Sequence, residues 1–111
     1  MKNKSIPQNY IFKKDLAKKY GVDAAILIQH FQFSIRHHKK NGTHFYEGRY
    51  WTYDSLDTLT SLYPFWTKRV IRRILKHLKE KNVLITSNFN KHKYNRTTWF
   101  AFQDEDKFIC G

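Results

Sequence analysis

The feature that most constrains the fold is a strongly amphipathic segment at residues 67–82. Val70, Ile71, Ile74, Leu75 and Leu78 recur at helical spacing, so they form one apolar stripe along a helix. Basic residues lie on the side of the helix opposite this stripe. The segment is therefore predicted to be a helix that packs its stripe into a core and presents a basic face to solvent.

Two helices and a hairpin are predicted on the N-terminal side of this segment. Residues 13–20 form a short helix that ends at Gly21, and residues 22–40 form a longer helix. Residues 43–53 alternate aromatic and polar side chains around Glu47-Gly48, which indicates a hairpin with a tight turn. The longer helix has a predicted buried stripe of Ala24, Leu27, Ile28, Phe31 and Ile35.

A further helix and two strands complete the pattern. Asp54 is predicted as the N-cap of this helix, Asp57 follows three residues later, and Pro64 ends it. Residues 83–89 and 97–102 are predicted to be two strands joined by a basic loop. The apolar residues of the helix are Leu56, Leu59 and Leu62.

The order of these elements predicts the fold class. A short helix, a tight turn, a longer basic helix and a basic hairpin indicate a mostly-α α+β fold, a winged helix-turn-helix with an extra N-terminal helix and a β-hairpin wing. A chain of 111 residues holds one such domain. We expect residues 1–102 to form the DNA-binding domain and residues 103–111 to be an acidic tail or the start of a linker.

The charge of the chain indicates a polyanionic partner. Lys and Arg number 21 against nine acidic residues, which gives a formal net charge of +12. Between Thr67 and Thr97, ten basic residues are opposed only by Glu80, so this segment carries +9 of that charge. Such an imbalance is typical of domains that bind nucleic acid or an anionic membrane surface. No apolar run is long enough to span a bilayer and nothing resembles a signal peptide, so we expect a cytoplasmic protein that binds no membrane.

The basic helix and the second hairpin contain the candidate DNA-binding residues. Arg69, Arg72, Arg73 and Lys76 fall opposite the apolar stripe, near the half of the helix that reaches base edges in helix-turn-helix proteins. Arg binds guanine O6 and N7 through two hydrogen bonds, whereas Thr67 and Lys68 suit phosphate oxygens. The alternative interpretation is a solvated basic face. The hairpin adds candidates for the adjacent backbone or minor groove, namely Lys91, His92, Lys93 and Arg96.

Two stretches of the sequence resemble a known family. The first is Tyr63-Pro64-Phe65-Trp66-Thr67-Lys68-Arg69, and the second comprises Asn88-Phe89-Asn90-Lys91 and Tyr94-Asn95-Arg96-Thr97-Thr98-Trp99-Phe100. They are similar to the N-terminal winged-helix domain of DnaD-like replication initiator and organiser proteins of phages and mobile elements. The resemblance covers residues 6–102 and implies binding of double-stranded DNA, or self-association, in replication initiation. It also implies helicase-loading partners, recruited through a C-terminal region that we expect beyond residue 111.

Two other functions fit the same pattern. A winged-helix transcriptional regulator would present the same basic helix, and a self-association module of a replication protein would use the domain without binding DNA. Ile26 and Phe33 lie off the main apolar stripe of the long helix. They are candidates for the interface of a homodimer or higher oligomer, and burial within the monomer is equally consistent with the pattern.

Catalysis, metal binding and cofactor binding are not expected. His37, His38 and His44 show no ligand spacing and have no accompanying Cys or paired carboxylates, so they are interpreted as surface histidines. No glycine-rich phosphate loop occurs. Seven aromatic residues are interpreted as mainly core side chains rather than platforms for single-stranded bases. They are Trp51, Tyr53, Phe65, Trp66, Trp99, Phe100 and Phe102.

Overall fold

The architecture, obtained as a computed structural model, is described for residues 12–90 and 97–109. The helices are α1 (Lys14–Tyr20), α2 (Val22–Asn41), α3 (Leu56–Leu62), α4 (Lys68–Glu80) and α5 (Glu105–Phe108). The strands are β1 (Phe45–Tyr46), β2 (Arg49–Tyr50), β3 (Thr52–Tyr53), β4 (Leu84–Ser87) and β5 (Trp99–Phe102). Helices dominate and the strands form small antiparallel sheets, so the predicted mostly-α α+β class is confirmed.

Helix α2 lies at the centre of the core. The predicted stripe is confirmed, because Ala24, Leu27, Ile28, Phe31 and Ile35 are all buried. They pack against buried side chains of α3, α4 and the strands, which include Leu59, Ile71, Leu78 and Phe102. Burying apolar side chains is the main favourable term in folding, so this cluster fixes how the helices pack.

The first hairpin turns where the sequence predicts it. Glu47 and Gly48 both have positive φ, 52° and 80°, as a two-residue turn between right-twisted strands requires. The paired strands are shorter than residues 43–53, because only Phe45–Tyr46 and Arg49–Tyr50 pair with each other. Thr52–Tyr53 instead joins a second sheet.

That second sheet has the strand order β3-β5-β4, with all neighbours antiparallel. The register pairs Leu84 with Phe102 and Thr86 with Phe100, so β4 and β5 form a hairpin. The two strands predicted over residues 83–89 and 97–102 are confirmed, but only residues 84–87 and 99–102 pair with each other. The sheet packs Leu84, Phe100 and Phe102 against the helical core, whereas Trp99 and Ala101 pack with Trp51 in a second cluster.

The predicted N-cap of α3 is wrong by one residue. Ser55 caps the helix, because its Oγ accepts a hydrogen bond from the backbone N–H of Thr58 at 3.0 Å. The Asp54 carboxylate instead lies 3.0 Å from Nε2 of His30 on α2. Both residue types cap helices well, so the contact with a distant helix decides which of the two does so.

The chain after β5 folds back onto the domain rather than continuing as a tail. Asp104 caps α5, and both Phe108 and Ile109 are buried. The Phe108 ring stacks on Phe102 with centroids 4.9 Å apart. The folded unit therefore extends to residue 109, which corrects the domain boundary predicted at residue 102.

Candidate nucleic-acid interface

The segment between α3 and α4 is a tight aromatic turn. The backbone N–H of Trp66 donates to the carbonyl of Tyr63 at 3.1 Å, and both side chains are buried. Phe65 packs edge-on against Trp66, with centroids 4.9 Å apart, yet 54% of its surface is exposed. The buried rings of Tyr63 and Trp66 fix the direction in which α4 leaves the turn, and Phe65 packs on the solvent side of Trp66.

Helix α4 begins one residue later and ends two residues earlier than the predicted range 67–82. Thr67 is the N-cap, because its Oγ1 accepts a hydrogen bond from the backbone N–H of Val70 at 3.2 Å. Four residues of the predicted stripe are buried and Val70 is half-buried. This packing turns the opposite side of the helix towards solvent.

The predicted α4 site residues are all exposed. Thr67, Lys68, Arg69, Arg72, Arg73 and Lys76 face solvent. Lys68 forms an ion pair with Asp57 of α3. Within residues 12–90 and 97–109, the side chains of Arg69, Arg72, Arg73 and Lys76 make no ion pair or hydrogen bond.

The first turn of α4 differs from the first turn of every other helix in the described ranges. α1, α2, α3 and α5 each place at least one acidic residue there, which complements the positive end of the helix dipole. α4 has no acidic residue in that turn and carries Lys68 and Arg69 instead. Two cations at this end of a helix oppose its dipole, and of the two only Lys68 has a protein partner among the described residues, so the fold does not explain Arg69.

A groove of about 910 Å³ runs between α4 and the second sheet. One wall is formed by the charged α4 residues Lys68, Arg72, Lys76 and Lys79, with Glu80 at its C-terminal end. The opposite wall carries Thr86, Thr97 and Thr98. The floor includes the apolar side chains of Leu59, Leu75 and Phe100. A cationic wall that faces hydroxyl groups suits a partner with closely spaced anionic oxygens.

The predicted basic face divides between two sides of α4. Arg72 and Lys76 line the groove, whereas Arg73 lines a separate depression of about 470 Å³ beside Gly21 and His77. At 100° per residue, Arg69 falls between Arg72 and Arg73 around the helix. The structure therefore brings Lys68, Arg72 and Lys76 together in one groove and directs Arg73 away from it.

The predicted wing residues Lys91, His92, Lys93 and Arg96 lie outside the described residues. The strands that lead to them are held together by Asn90. Its side-chain amide donates to the carbonyl of Thr97 at 2.8 Å, and its Oδ1 accepts from Nε1 of Trp99 at 3.0 Å. The base of the hairpin is therefore defined beside the groove.

Sequence reasoning missed three kinds of groove residue. Lys79 was not singled out, although it follows Lys76 by three positions and therefore lies on the same side of the helix. Thr86 reaches the groove through the register of β4, and Thr98 immediately precedes β5; the sequence does not specify either placement. Asp57 was predicted only to support the start of α3, and its pairing with Lys68 depends on how the two helices pack.

The histidines form ring contacts rather than a metal centre. His38 stacks on His44 with centroids 3.9 Å apart, and its Nδ1 lies 2.9 Å from Thr43 Oγ1. Burial lowers the pKa of His38, and the nearby rings of His44 and His37 lower it further against a smaller opposing effect of Asp54. In the part of the chain that the structure describes, no group of three or more potential ligands is arranged to hold a metal.

The aromatic residues divide between core and surface. Trp51, Trp66, Trp99, Phe100 and Phe102 are buried, as predicted for core residues. Tyr53 and Phe65 are 49% and 54% exposed, so the core interpretation is wrong for these two. On α2, Ile26 packs against the core, whereas Phe33 is 75% exposed.

Comparison with known proteins does not identify a relative: no family model, curated protein or solved structure matches the chain. Among the described residues, none of the helices has the length and apolar character needed to cross a membrane.

Proposed function

We propose that this domain is a winged helix-turn-helix that binds double-stranded DNA through α4. The proposal is supported by the element order, in which α3, the aromatic turn and α4 are followed by the β4–β5 hairpin. It is also supported by β3, which precedes α3 and pairs with β5 to give the order β3-β5-β4. In such folds the second helix of the motif lies in the major groove and the hairpin contacts the adjacent backbone.

The observation that carries the proposal is the placement of charge on α4. Lys68 and Arg69 oppose the helix dipole, and Arg69, Arg72, Arg73 and Lys76 have no protein partner among the described residues. Charges that do not stabilise the fold are expected where a ligand supplies the partner. DNA phosphates supply a dense row of negative charges, and guanine accepts two hydrogen bonds from one arginine.

The replication-initiation role is proposed on the resemblance to DnaD-like proteins. A transcriptional regulator would use the same surface, so α4 supports DNA binding for both roles. Self-association is favoured by a different observation: Phe33 is 75% exposed, whereas the other apolar residues of α2 from Ala24 to Ile35 are buried or half-buried. The two activities involve separate surfaces and can be tested separately.

The experiment is fluorescence anisotropy with a short labelled duplex and with its single strands, over a range of salt concentrations. For several phosphate contacts, log affinity should fall linearly with log salt with a slope of about −4 to −7, at about −0.9 per contact. The single strands should bind more weakly than the duplex. Absence of binding to any DNA at low salt would overturn the proposal. Sedimentation of the wild type and a Phe33→Ser variant, without DNA, measures self-association independently.

A further inference from the structure

The groove between α4 and the second sheet has two walls of different chemistry. The α4 side is a mainly cationic wall of Lys68, Arg72, Lys76 and Lys79 that ends at Glu80, and the sheet side is lined by Thr86, Thr97 and Thr98. Cations attract phosphates over a distance, whereas a threonine hydroxyl donates a hydrogen bond only to an oxygen that lies within the groove. The combination favours a ligand that enters the groove rather than one that rests on the outside of α4.

The length of the cationic wall matches a nucleic-acid strand. Lys68 and Lys79 are eleven residues apart, which corresponds to about 16 Å along a helix at 1.5 Å per residue. One strand of a duplex carries a phosphate about every 3.4 Å along the axis, so roughly five phosphates fall within this length. Four cations therefore face a comparable number of negative charges.

Of the three carboxylates that line the groove (Asp54, Asp57 and Glu80), Asp57 forms an ion pair with a cation of this wall. Asp57 of α3 lines the groove and forms an ion pair with Lys68. The side chains of Asp57 and Lys68 are 80% and 51% exposed, and pairs this exposed contribute little to stability. Asp54 lines the same groove but contacts His30, so it is held by α2. A phosphate can therefore replace the Asp57 carboxylate as the partner of Lys68 with little loss of stability.

We infer that the groove holds one sugar–phosphate strand of the bound duplex and that Asp57 is the internal carboxylate which this strand displaces from Lys68. The inference rests on the proposed DNA binding and specifies which residues of the protein contact the DNA strand. Asp57 thereby lowers the affinity for DNA, because the free protein already partly neutralises Lys68. The threonines of the sheet then contact the same strand from the side opposite the cations.

The test of the displaced carboxylate compares Asp57→Asn with Asp15→Asn in the duplex anisotropy assay. Asp15 is exposed on α1, so its removal changes the net charge equally but outside the groove. Asp57→Asn should raise the affinity about two- to fivefold beyond the effect of Asp15→Asn, the factor equivalent to an exposed ion pair. Because the gain requires Lys68, Asp57→Asn should produce no such excess in a Lys68→Gln background.

The test of the hydroxyl wall leaves the charge unchanged. The double variant Thr86→Val and Thr98→Val removes both hydroxyls while retaining side-chain shape, and valine suits the strand position of Thr86. It should bind the duplex about three- to tenfold more weakly, the loss equivalent to one ordinary hydrogen bond. Ser61→Ala removes an exposed hydroxyl of α3 outside the groove and should leave the affinity unchanged.

The outcomes separate this inference from the proposed function. If the wild type binds no DNA, the proposed function fails and the inference fails with it. If the wild type binds duplex but Asp57→Asn equals Asp15→Asn and the threonine double variant equals Ser61→Ala, only the groove inference is overturned. Thermal unfolding of each variant confirms that the proteins compared are folded.

Discussion

The arginines of this domain fall into two groups that differ in their contacts. Arg36 on α2 donates to the carbonyls of Phe108 and Ile109 at 3.1 and 3.2 Å. Arg49 on β2 donates to the carbonyls of Phe102 and Gln103 at 2.8 and 2.9 Å. Three arginines of α4 make no such bonds within the described residues. They are Arg69, Arg72 and Arg73.

The difference shows how one residue type takes two roles. A guanidinium offers five donors, and in the first group these donors hold the C-terminal segment and the sheet end against the domain. In the second group the donors face solvent on a helix whose first turn already opposes its own dipole. The first group makes hydrogen bonds within the fold, and we propose that the second group contacts DNA.

The largest loss of stability is expected from a substitution in the C-terminal segment that Arg36 contacts. Phe108 is buried and stacks on Phe102, so Phe108→Ala leaves a cavity beside the sheet. We expect a loss of about 3–5 kcal/mol in the free energy of unfolding, measured by urea denaturation. A variant as stable as the wild type would show that residues 104–109 do not belong to the folded unit.

A smaller effect separates the two groups of arginines directly. Arg36→Gln removes donors from the carbonyls of Phe108 and Ile109, and we expect it to lower the free energy of unfolding by about 1.5–3 kcal/mol. Arg72→Gln removes an exposed side chain without a protein partner and should change stability by no more than about 0.5 kcal/mol. Equal losses in urea denaturation would remove the distinction between the groups.

The periodic parts of the structure could be predicted from sequence and the contact-dependent parts could not. The stripes of α2 and α4 repeat at helical spacing, so their buried residues were predictable before any partner was known. Burial of Phe108 was not predictable, because the segment around it is acidic and short. Its backbone carbonyl is held by Gln32 and Arg36, which lie 76 and 72 positions away in the sequence.

The same reasoning divides the candidate site. The basic, amphipathic character of α4 follows from local pattern, and the structure agrees on the buried stripe and the exposed basic residues. The groove does not follow from local pattern, because it needs the packing of α4 against the sheet and the register that places Thr86 opposite Phe100. The choice of Ser55 over Asp54 as a cap depended on His30, which no local signal identifies.

A gain in stability is expected when the charge at the start of α4 is reversed. Arg69→Glu places an acidic residue in the first turn, as the other helices of the described ranges have, and should stabilise the fold by about 0.3–1 kcal/mol. The same change should weaken binding to duplex DNA. Arg69→Gln is the neutral control and should give a smaller change of the same sign. A loss of stability in urea denaturation would show that Arg69 contributes to folding.

The smallest effect concerns His38, near the end of α2. Its folded-state pKa is below the ordinary 6.5, so the fold favours the neutral ring. The neutral ring of His38 therefore contributes to the free energy of unfolding. This contribution is fully present above pH 6.5 and is lost as the pH falls from 6.5 through the lower folded-state pKa. Urea denaturation on both sides of this range should show a smaller acid-induced loss of stability in His38→Gln than in the wild type. Identical pH dependence of stability in the two proteins would contradict the lowered pKa of His38.

The measurement that tests the central claim most directly is the salt dependence of duplex binding by two variants of equal charge. One variant changes Arg69, Arg72 and Arg73 of α4 to Gln, and the other changes the exposed Lys14, Lys18 and Lys40 to Gln. If α4 contacts the DNA, the slope of log affinity against log salt should become shallower by up to about three units in the first variant. In the second variant it should change by less than about one unit. Equal slopes in the two variants would contradict the assignment of DNA binding to α4.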